Sequence, residues 1–176
     1  MDKGIGMVKN HSVQKKIISN NARETGKLAR EILKQIGMVR NHPLQKKPII
    51  FLLKGELGGG KTVFVKAIAK AMGVKERLTS PTFILYNTYQ IRLKIEDLRF
   101  KNGTLLHWDL YRIEDPKELE TIGFWEIIKK ANIVCIEWPE RMGKKITEKI
   151  KKEMKVIEIE FEYGKKLEER VIKIDR

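Results

Sequence analysis

Residues 55–62 read Gly-Glu-Leu-Gly-Gly-Gly-Lys-Thr and satisfy G-x-x-x-x-G-K-[ST] at every fixed position. No other stretch narrows the possible folds so far. The pattern needs a buried strand before it and an amphipathic helix after it, and both flanks supply them. Pro48-Ile49-Ile50-Phe51-Leu52-Leu53 is a continuous apolar run, the habit of a strand covered on both faces in a parallel sheet. Residues 61–72 put Phe64, Ala67, Ile68, Ala71 and Met72 on one helical face, with Gly73 as the stop. Three consecutive glycines let the backbone curl until its N–H groups converge on phosphate oxygens. The helix start adds the positive end of its dipole. Lys61 supplies a point charge for β- and γ-phosphates. The Thr62 hydroxyl suits Mg²⁺, a hard cation that takes oxygen donors.

Such a loop needs a second acid at the end of a neighbouring strand, and two segments offer one. Ile133-Val134-Cys135-Ile136-Glu137 is four apolar residues followed by a carboxylate. Leu105-Leu106-His107-Trp108-Asp109 ends the same way, with a less apolar run. The more apolar strand belongs beside the phosphate-loop strand, so Glu137 is the expected metal carboxylate. Asp109 is left as a support for the metal site, a positioner of attacking water, or a turn-forming residue. Ser80-Pro81-Thr82-Phe83 brings hydroxyls that suit sensing of a γ-phosphate in a switch segment, although Ser-Pro is also an ordinary turn. Trp138 directly follows Glu137 and is either a shield beside a nucleotide or a core residue. Cys135, the single cysteine, lies inside an apolar strand; it excludes an intrachain disulfide and reads as inert.

The rest of the chain alternates strand and helix patterns, which argues for an α/β sheet with helices on both faces. Asn21 and Glu24 form a capping box for a helix carrying Leu28, Ile32, Leu33 and Ile36, with Gly37 as its end. Thr82–Ile91 and Thr104–Tyr111 read as extended, with Asn102-Gly103 as a turn between them. Asp115-Pro116-Lys117-Glu118 starts a further helix, interrupted at Gly123. Residues 144–155 suggest a short exposed helix. Ile157, Ile159, Phe161 and Tyr163 share one strand face, and Gly164-Lys165-Lys166 turns the chain into an antiparallel partner over 167–174.

The 176 residues amount to about one domain and can form an ordinary core. No run approaches a membrane span, and the first residues lack the apolar stretch of a signal peptide, so a cytoplasmic protein is expected. The net charge is +14, and residues 1–54 hold 12 basic but only 3 acidic side chains. That balance favours polyanionic partners or simply reflects solvated lysines. Residues 5–16 return as 36–47 with nine of twelve positions identical. Two copies are too few for a solenoid. His11 and His42 in these copies lack neighbouring carboxylates or thiols and are discounted as metal ligands. Residues 1–14 are expected to be a basic tail and 15–176 a single domain.

Taken in order, GELGGGKT, SPTF, HWDLYRI, DPKELETIGF and IVCIEWPE resemble the TsaE family (also called YjeE) over roughly residues 15–176. These are small P-loop ATPases of bacterial tRNA threonylcarbamoyladenosine biosynthesis. The resemblance implies a three-layer α/β P-loop fold with a mostly parallel central sheet and an antiparallel C-terminal hairpin. It implies that Leu57, Gly58, Gly59, Gly60, Lys61 and Thr62 cradle ATP, and that Thr62 and Glu137 hold Mg²⁺. Ser80, Thr82 and the segment from His107 to Arg112 would line the site as moving parts, with Asp109 needed for hydrolysis. Trp138 would complete a Glu-Trp-Pro signature, and the stretch around Thr25 is the candidate for the adenine end. The implied partners are TsaD, which transfers threonylcarbamoyl to adenosine 37 of tRNA, and its non-catalytic relative TsaB. Contact with tRNA would then be indirect, through that complex. From the residues alone, a P-loop small-molecule kinase and a basic RNA- or protein-binding module without catalysis remain open.

Overall fold

The computed structural model describes residues 15–38, 47–81, 83–92 and 102–175. The repeat copies beyond these limits, with His11 and His42, the basic tail and Thr82 lie outside the described residues. Among the described residues, seven strands form one sheet in the order β1-β7-β6-β2-β5-β4-β3. They are β1 (Lys15–Ser19), β2 (Ile49–Gly55), β3 (Tyr86–Arg92), β4 (Asn102–Asp109), β5 (Ile133–Glu137), β6 (Lys155–Tyr163) and β7 (Arg170–Asp175). The four central strands β6, β2, β5 and β4 run parallel. Strand β3 pairs antiparallel at one edge, and the β6–β7 hairpin with β1 closes the other.

The apolar run predicted as a two-faced strand is β2, with Ile50, Phe51, Leu52 and Leu53 all at 0% exposure. Alternation sends Ile49, Phe51 and Leu53 to one face and Ile50 and Leu52 to the other. The first face packs beneath α1 (Ala22–Leu33) and α2 (Lys61–Ala71). The second is covered by α3 (Lys117–Thr121), α4 (Phe124–Lys129) and α5 (Gly143–Glu153). Helix, sheet and helix make three layers with a separate core on each side. Each of these fully buried side chains contributes roughly 1.5–3 kcal/mol, offset by chain entropy.

Local signals act where they were expected, with instructive shifts. The Asn21 side chain accepts from the Glu24 N–H at 3.0 Å, but the Glu24 carboxylate returns to the Asn20 N–H at 2.7 Å, one residue earlier than a standard box. That bond holds the Glu24 carboxyl below its usual range. Helix α1 does not stop at Gly37; it widens into a π-turn over Lys34–Met38. The short strand β1 carries no strong sequence pattern, because Ile17 and Ile18 are flanked by lysines and the strand pairs only at one side.

Asn102-Gly103 is not a turn but the start of β4, with Gly103 opposite Ile91. A Cβ on Gly103 would lie 2.7 Å from Asn132 Oδ1, which itself accepts from the Thr104 N–H at 2.8 Å. Close approach, not turning, requires glycine there. The lysine-rich helix α5 is half-anchored, since Ile146 and Ile150 are buried beneath its charged face. Tyr163 leaves the buried stripe of Ile157, Ile159 and Phe161 and is 53% exposed, because β6 there runs past the core to the phosphate loop.

Candidate nucleotide site

The parallel register brings the chemistry to one end of the sheet, where β2, β4 and β5 all finish. Strand β2 ends at Gly55, whose φ is +129° and whose Cβ would lie 2.3 Å from the Phe161 carbonyl oxygen. The chain then curls through Glu56 and Leu57, with the Gly59 N–H donating to the Glu56 carbonyl at 3.0 Å. Gly60, at φ +107°, enters α2 without any side-chain cap. The first turn of α2 also contains no acidic side chain. Uncapped N–H groups at a helix start are the arrangement that accepts an anion.

Lys61 opens α2 and folds back over the loop. Its Nζ donates to the carbonyls of Gly55 (2.6 Å) and Glu56 (2.9 Å) and lies 3.9 Å from the centroid of the Trp138 ring. Burial holds the ammonium below the usual lysine value, while the nearby carboxylates, Glu137 first, pull the other way. The next residue, Thr62, donates its hydroxyl to Glu137 at 2.9 Å to Oε1 and 3.1 Å to Oε2. Two distant segments thus place a hydroxyl and a carboxylate, both hard oxygen donors, against each other beside the glycine loop.

Glu137 ends β5, beside β2, and is paired in register with Asp109 at the end of β4. The Asp109 carboxylate accepts from Ser80 Oγ at 2.7 Å and from the Tyr111 N–H at 3.1 Å. It therefore ties the Ser80-Pro81 segment to the start of the 110–112 turn. That segment carries Phe83, 82% exposed, and Leu85 in the left-handed region at φ 66°. A branched side chain there costs roughly 1–2 kcal/mol. Trp138 is also left-handed, at φ 60°; its N–H donates to the Leu53 carbonyl and its ring meets Tyr111 at 5.1 Å. Trp138 lines the cleft and is also partly buried against the second core.

A cleft of about 370 Å³ collects Leu57, Gly58, Gly59, Gly60, Lys61, Thr62, Ser80, Asp109, Tyr111, Glu137 and Trp138. The loop residues, Ser80, both candidate acids and Trp138 thus share one cleft. Across the loop, a second hollow of about 530 Å³ shares Gly58, Gly60 and Val63 and is bounded by Asn21, Thr25 and Arg170. Thr25, the sequence candidate for the far end of a nucleotide, is buried there against Ser19, with 2.9 Å between the hydroxyl oxygens.

Three further side chains bear on the loop and its acid; Tyr163 and Arg170 escaped the sequence reading, and His107 was named there only within the His107–Arg112 segment. His107 is fully buried with Nε2 2.8 Å from Glu137 Oε1; its spacing of two from Asp109, which puts both on one strand face, was the available signal. Tyr163 donates its hydroxyl to the Leu57 carbonyl, and Arg170 donates to the Gly58 carbonyl at 3.0 Å while stacking on the Tyr163 ring. No pattern in the hairpin sequence marks either as a clamp on the loop.

The family model described as threonylcarbamoyl adenosine biosynthesis protein TsaE matches residues 19–172. The chain belongs to the TsaE family. Among its relatives is the tRNA threonylcarbamoyladenosine biosynthesis protein TsaE of Rickettsia felis, 37% identical over 125 residues, covering 70% of this chain and 62% of the relative. The protein of the same name from Treponema pallidum is 36% identical over 99 residues, 56% of this chain and 66% of its own length. The Aquifex aeolicus TsaE is 38% identical over 129 residues, 72% of this chain and 78% of that protein. The chain thus spans a little under two-thirds of the first two relatives. The crystal structure of Bacillus subtilis YdiB superposes with a TM-score of 0.60 at 20% identity, covering 95% of this chain and 88% of that one. That likeness bears on the fold, an α/β sheet with a parallel centre and antiparallel edges. Among the described residues, no helix is long and apolar enough to cross a membrane.

Proposed function

We propose that this TsaE-family chain binds ATP with Mg²⁺, hydrolyses it slowly, and serves tRNA threonylcarbamoyladenosine biosynthesis by acting on a TsaB–TsaD pair. The observation that carries the reading is the hydrogen bond between Thr62 and Glu137 beside an uncapped, glycine-formed helix start. A hydroxyl from α2 and a carboxylate from the end of β5, brought together, fit a hard divalent cation, and the glycine loop fits phosphate oxygens. The loop has little room for larger residues: a Cβ on Gly59 would lie 2.9 Å from the Glu56 carbonyl oxygen.

In this reading Leu57 to Thr62 hold the phosphates, and Lys61 exchanges its two carbonyl partners for phosphate oxygens. Thr62 and Glu137 hold Mg²⁺, which when bound neutralises charge building on the phosphates. Asp109 positions water and, through Ser80, the switch segment with Thr82. Trp138 walls the phosphate end, and the hollow beside Thr25 takes the base. Slow turnover follows from the lining: no arginine borders the 370 Å³ cleft among the described residues. Arg112 is instead stacked on Phe83, 4.2 Å from its centroid. A stabilising arginine brought in by movement or by a partner is worth about 10³–10⁵ in rate.

Calorimetry with ATP and Mg²⁺ tests the site. Lys61→Ala is expected to abolish productive binding with the fold intact; wild-type affinity in the variant would remove the phosphate-loop assignment. Phosphate release with and without TsaB and TsaD, at fixed salt because of the +14 charge, tests the partner role. Partner stimulation supports it. Rapid release by the chain alone, unchanged by the partners, would move a small-molecule kinase or free-standing NTPase ahead. RNA binding that survives Lys61→Ala would favour the basic binding module.

A further inference from the structure

The Mg²⁺-holding carboxylate of the proposed site has a partner with no role in that reading. His107 lies on β4, at 0% exposure, two residues before Asp109 and on the strand adjacent to Glu137. Its Nε2 lies 2.8 Å from Glu137 Oε1, and its Nδ1 has no hydrogen-bond partner among the described residues. An ionised carboxylate only accepts, so the proton of this contact belongs to Nε2. With the proton there, Nδ1 has no N–H to leave unpaired in the core.

The two Glu137 oxygens are consequently unequal. Oε1 receives the imidazole N–H and the shorter Thr62 contact, whereas Oε2 faces Thr62 alone among these bonds, at 3.1 Å. The carboxylate also lies within the electrostatic reach of Lys61, for which it is the strongest acidic neighbour. Without a second anchor, rotation toward that ammonium would relieve a buried, under-bonded oxygen. It would also draw Lys61 away from the phosphates.

We propose that His107 is a positioning residue: its Nε2–H occupies Glu137 Oε1 and keeps Oε2 and the Thr62 hydroxyl presented to the divalent cation. This rests on the nucleotide-and-Mg²⁺ reading above. Hydrogen-bond partners of ligating carboxylates and imidazoles typically change metal affinity by 10–100-fold when removed. A purely space-filling histidine would show no dependence on whether its replacement donates a hydrogen bond.

The test uses the full chain with Mn²⁺ as the probe, followed by electron paramagnetic resonance in the presence of ADP. Calorimetry in EDTA reports the nucleotide affinity of the loop alone. His107→Leu is expected to weaken Mn²⁺ binding by about 10–100-fold, with EDTA-phase ADP affinity within about threefold of wild type, since no bond to the loop is removed. His107→Gln, whose amide N–H reaches the same position, is expected to restore most of the loss. His107→Asn falls short of Oε1 and should behave like the leucine variant; it decides the matter if leucine does not fold. Unchanged Mn²⁺ affinity in His107→Leu or His107→Asn, or equal loss in His107→Gln, overturns the proposal. Failure of the parent reading shows elsewhere, as wild-type ADP binding indifferent to Mn²⁺.

Discussion

Asp109 and Glu137 are register partners at the ends of adjacent parallel strands, both nearly buried and both in the same cleft. Their surroundings differ. Glu137 is clasped by Thr62 from α2 and by His107 from within the sheet. Asp109 is bonded to Ser80 and to the Tyr111 N–H, both on connecting segments. One of those segments runs on into exposed Phe83 and Ile84 and left-handed Leu85. A carboxylate braced by secondary structure suits a task that needs a fixed oxygen, such as holding a cation. A carboxylate that ties down loops suits a task that needs an alternative partner, such as ordering a segment when a γ-phosphate arrives. On the proposed reading, chemically identical groups one strand apart are given different work by what holds them.

The sharpest way to break this contrast is to remove the charge from each acid in turn. Glu137→Gln is expected to lower Mg²⁺-dependent phosphate release by about 100-fold or more and to weaken Mn²⁺ binding in parallel, while ADP affinity in EDTA stays near wild type. Asp109→Asn is expected to lower phosphate release by about 10–100-fold with Mn²⁺ affinity unchanged, because the group acts on water and loops rather than on the cation. If Asp109→Asn abolishes metal binding and Glu137→Gln leaves it intact, the two roles are reversed. Ser80→Ala removes one hydrogen bond to Asp109, worth about 1 kcal/mol. It should reduce turnover about threefold to fivefold, leave Mn²⁺ binding untouched, and raise protease sensitivity around Phe83. The smallest effect belongs to Tyr163→Phe, which loses its bond to the Leu57 carbonyl; ADP affinity in EDTA should shift by no more than about fivefold. A larger shift there would mean that the hairpin, not β2, sets the shape of the phosphate loop.

Much of this arrangement is legible in the sequence because the signals are local. Five consecutive apolar residues, Ile49 to Leu53, declare a two-faced strand, and Gly60-Lys61-Thr62 declares a glycine-formed helix start. The apolarity of Ile133–Ile136 correctly placed Glu137 next to β2 and left Asp109 one strand farther out. What escaped was decided by tertiary contact. Gly103 looks like a turn glycine until the Asn132 side chain is seen against it. Tyr163 fits an apolar stripe that the sheet abandons at its last residue. His107 is placed at the site only as part of the His107–Arg112 segment, and its own partner is not evident until the neighbouring strand delivers Glu137. Arg170 carries no local mark, because its partner is a carbonyl of the phosphate loop, far away in the chain.

The place of β2 in the sheet has a consequence for how the protein is made. Ile49 of β2 pairs with Ile133 on one side and Lys155 on the other, both far downstream. During synthesis, the most apolar strand therefore emerges with neither neighbour yet translated. At about 5–20 residues per second, the roughly hundred residues that separate β2 from the end of β6 occupy about 5–20 s. Until β5 is made Ile49–Leu53 lacks a strand partner on both edges, and one edge stays open until β6 follows, the kind of surface that chaperones guard. The phosphate loop hangs from this strand and takes its last contacts from Tyr163 and Arg170. On the proposed reading, competence to bind a nucleotide is thus assembled late, when the hairpin has been made, and nucleotide capture by a nascent chain would mark the moment at which its central strand is enclosed.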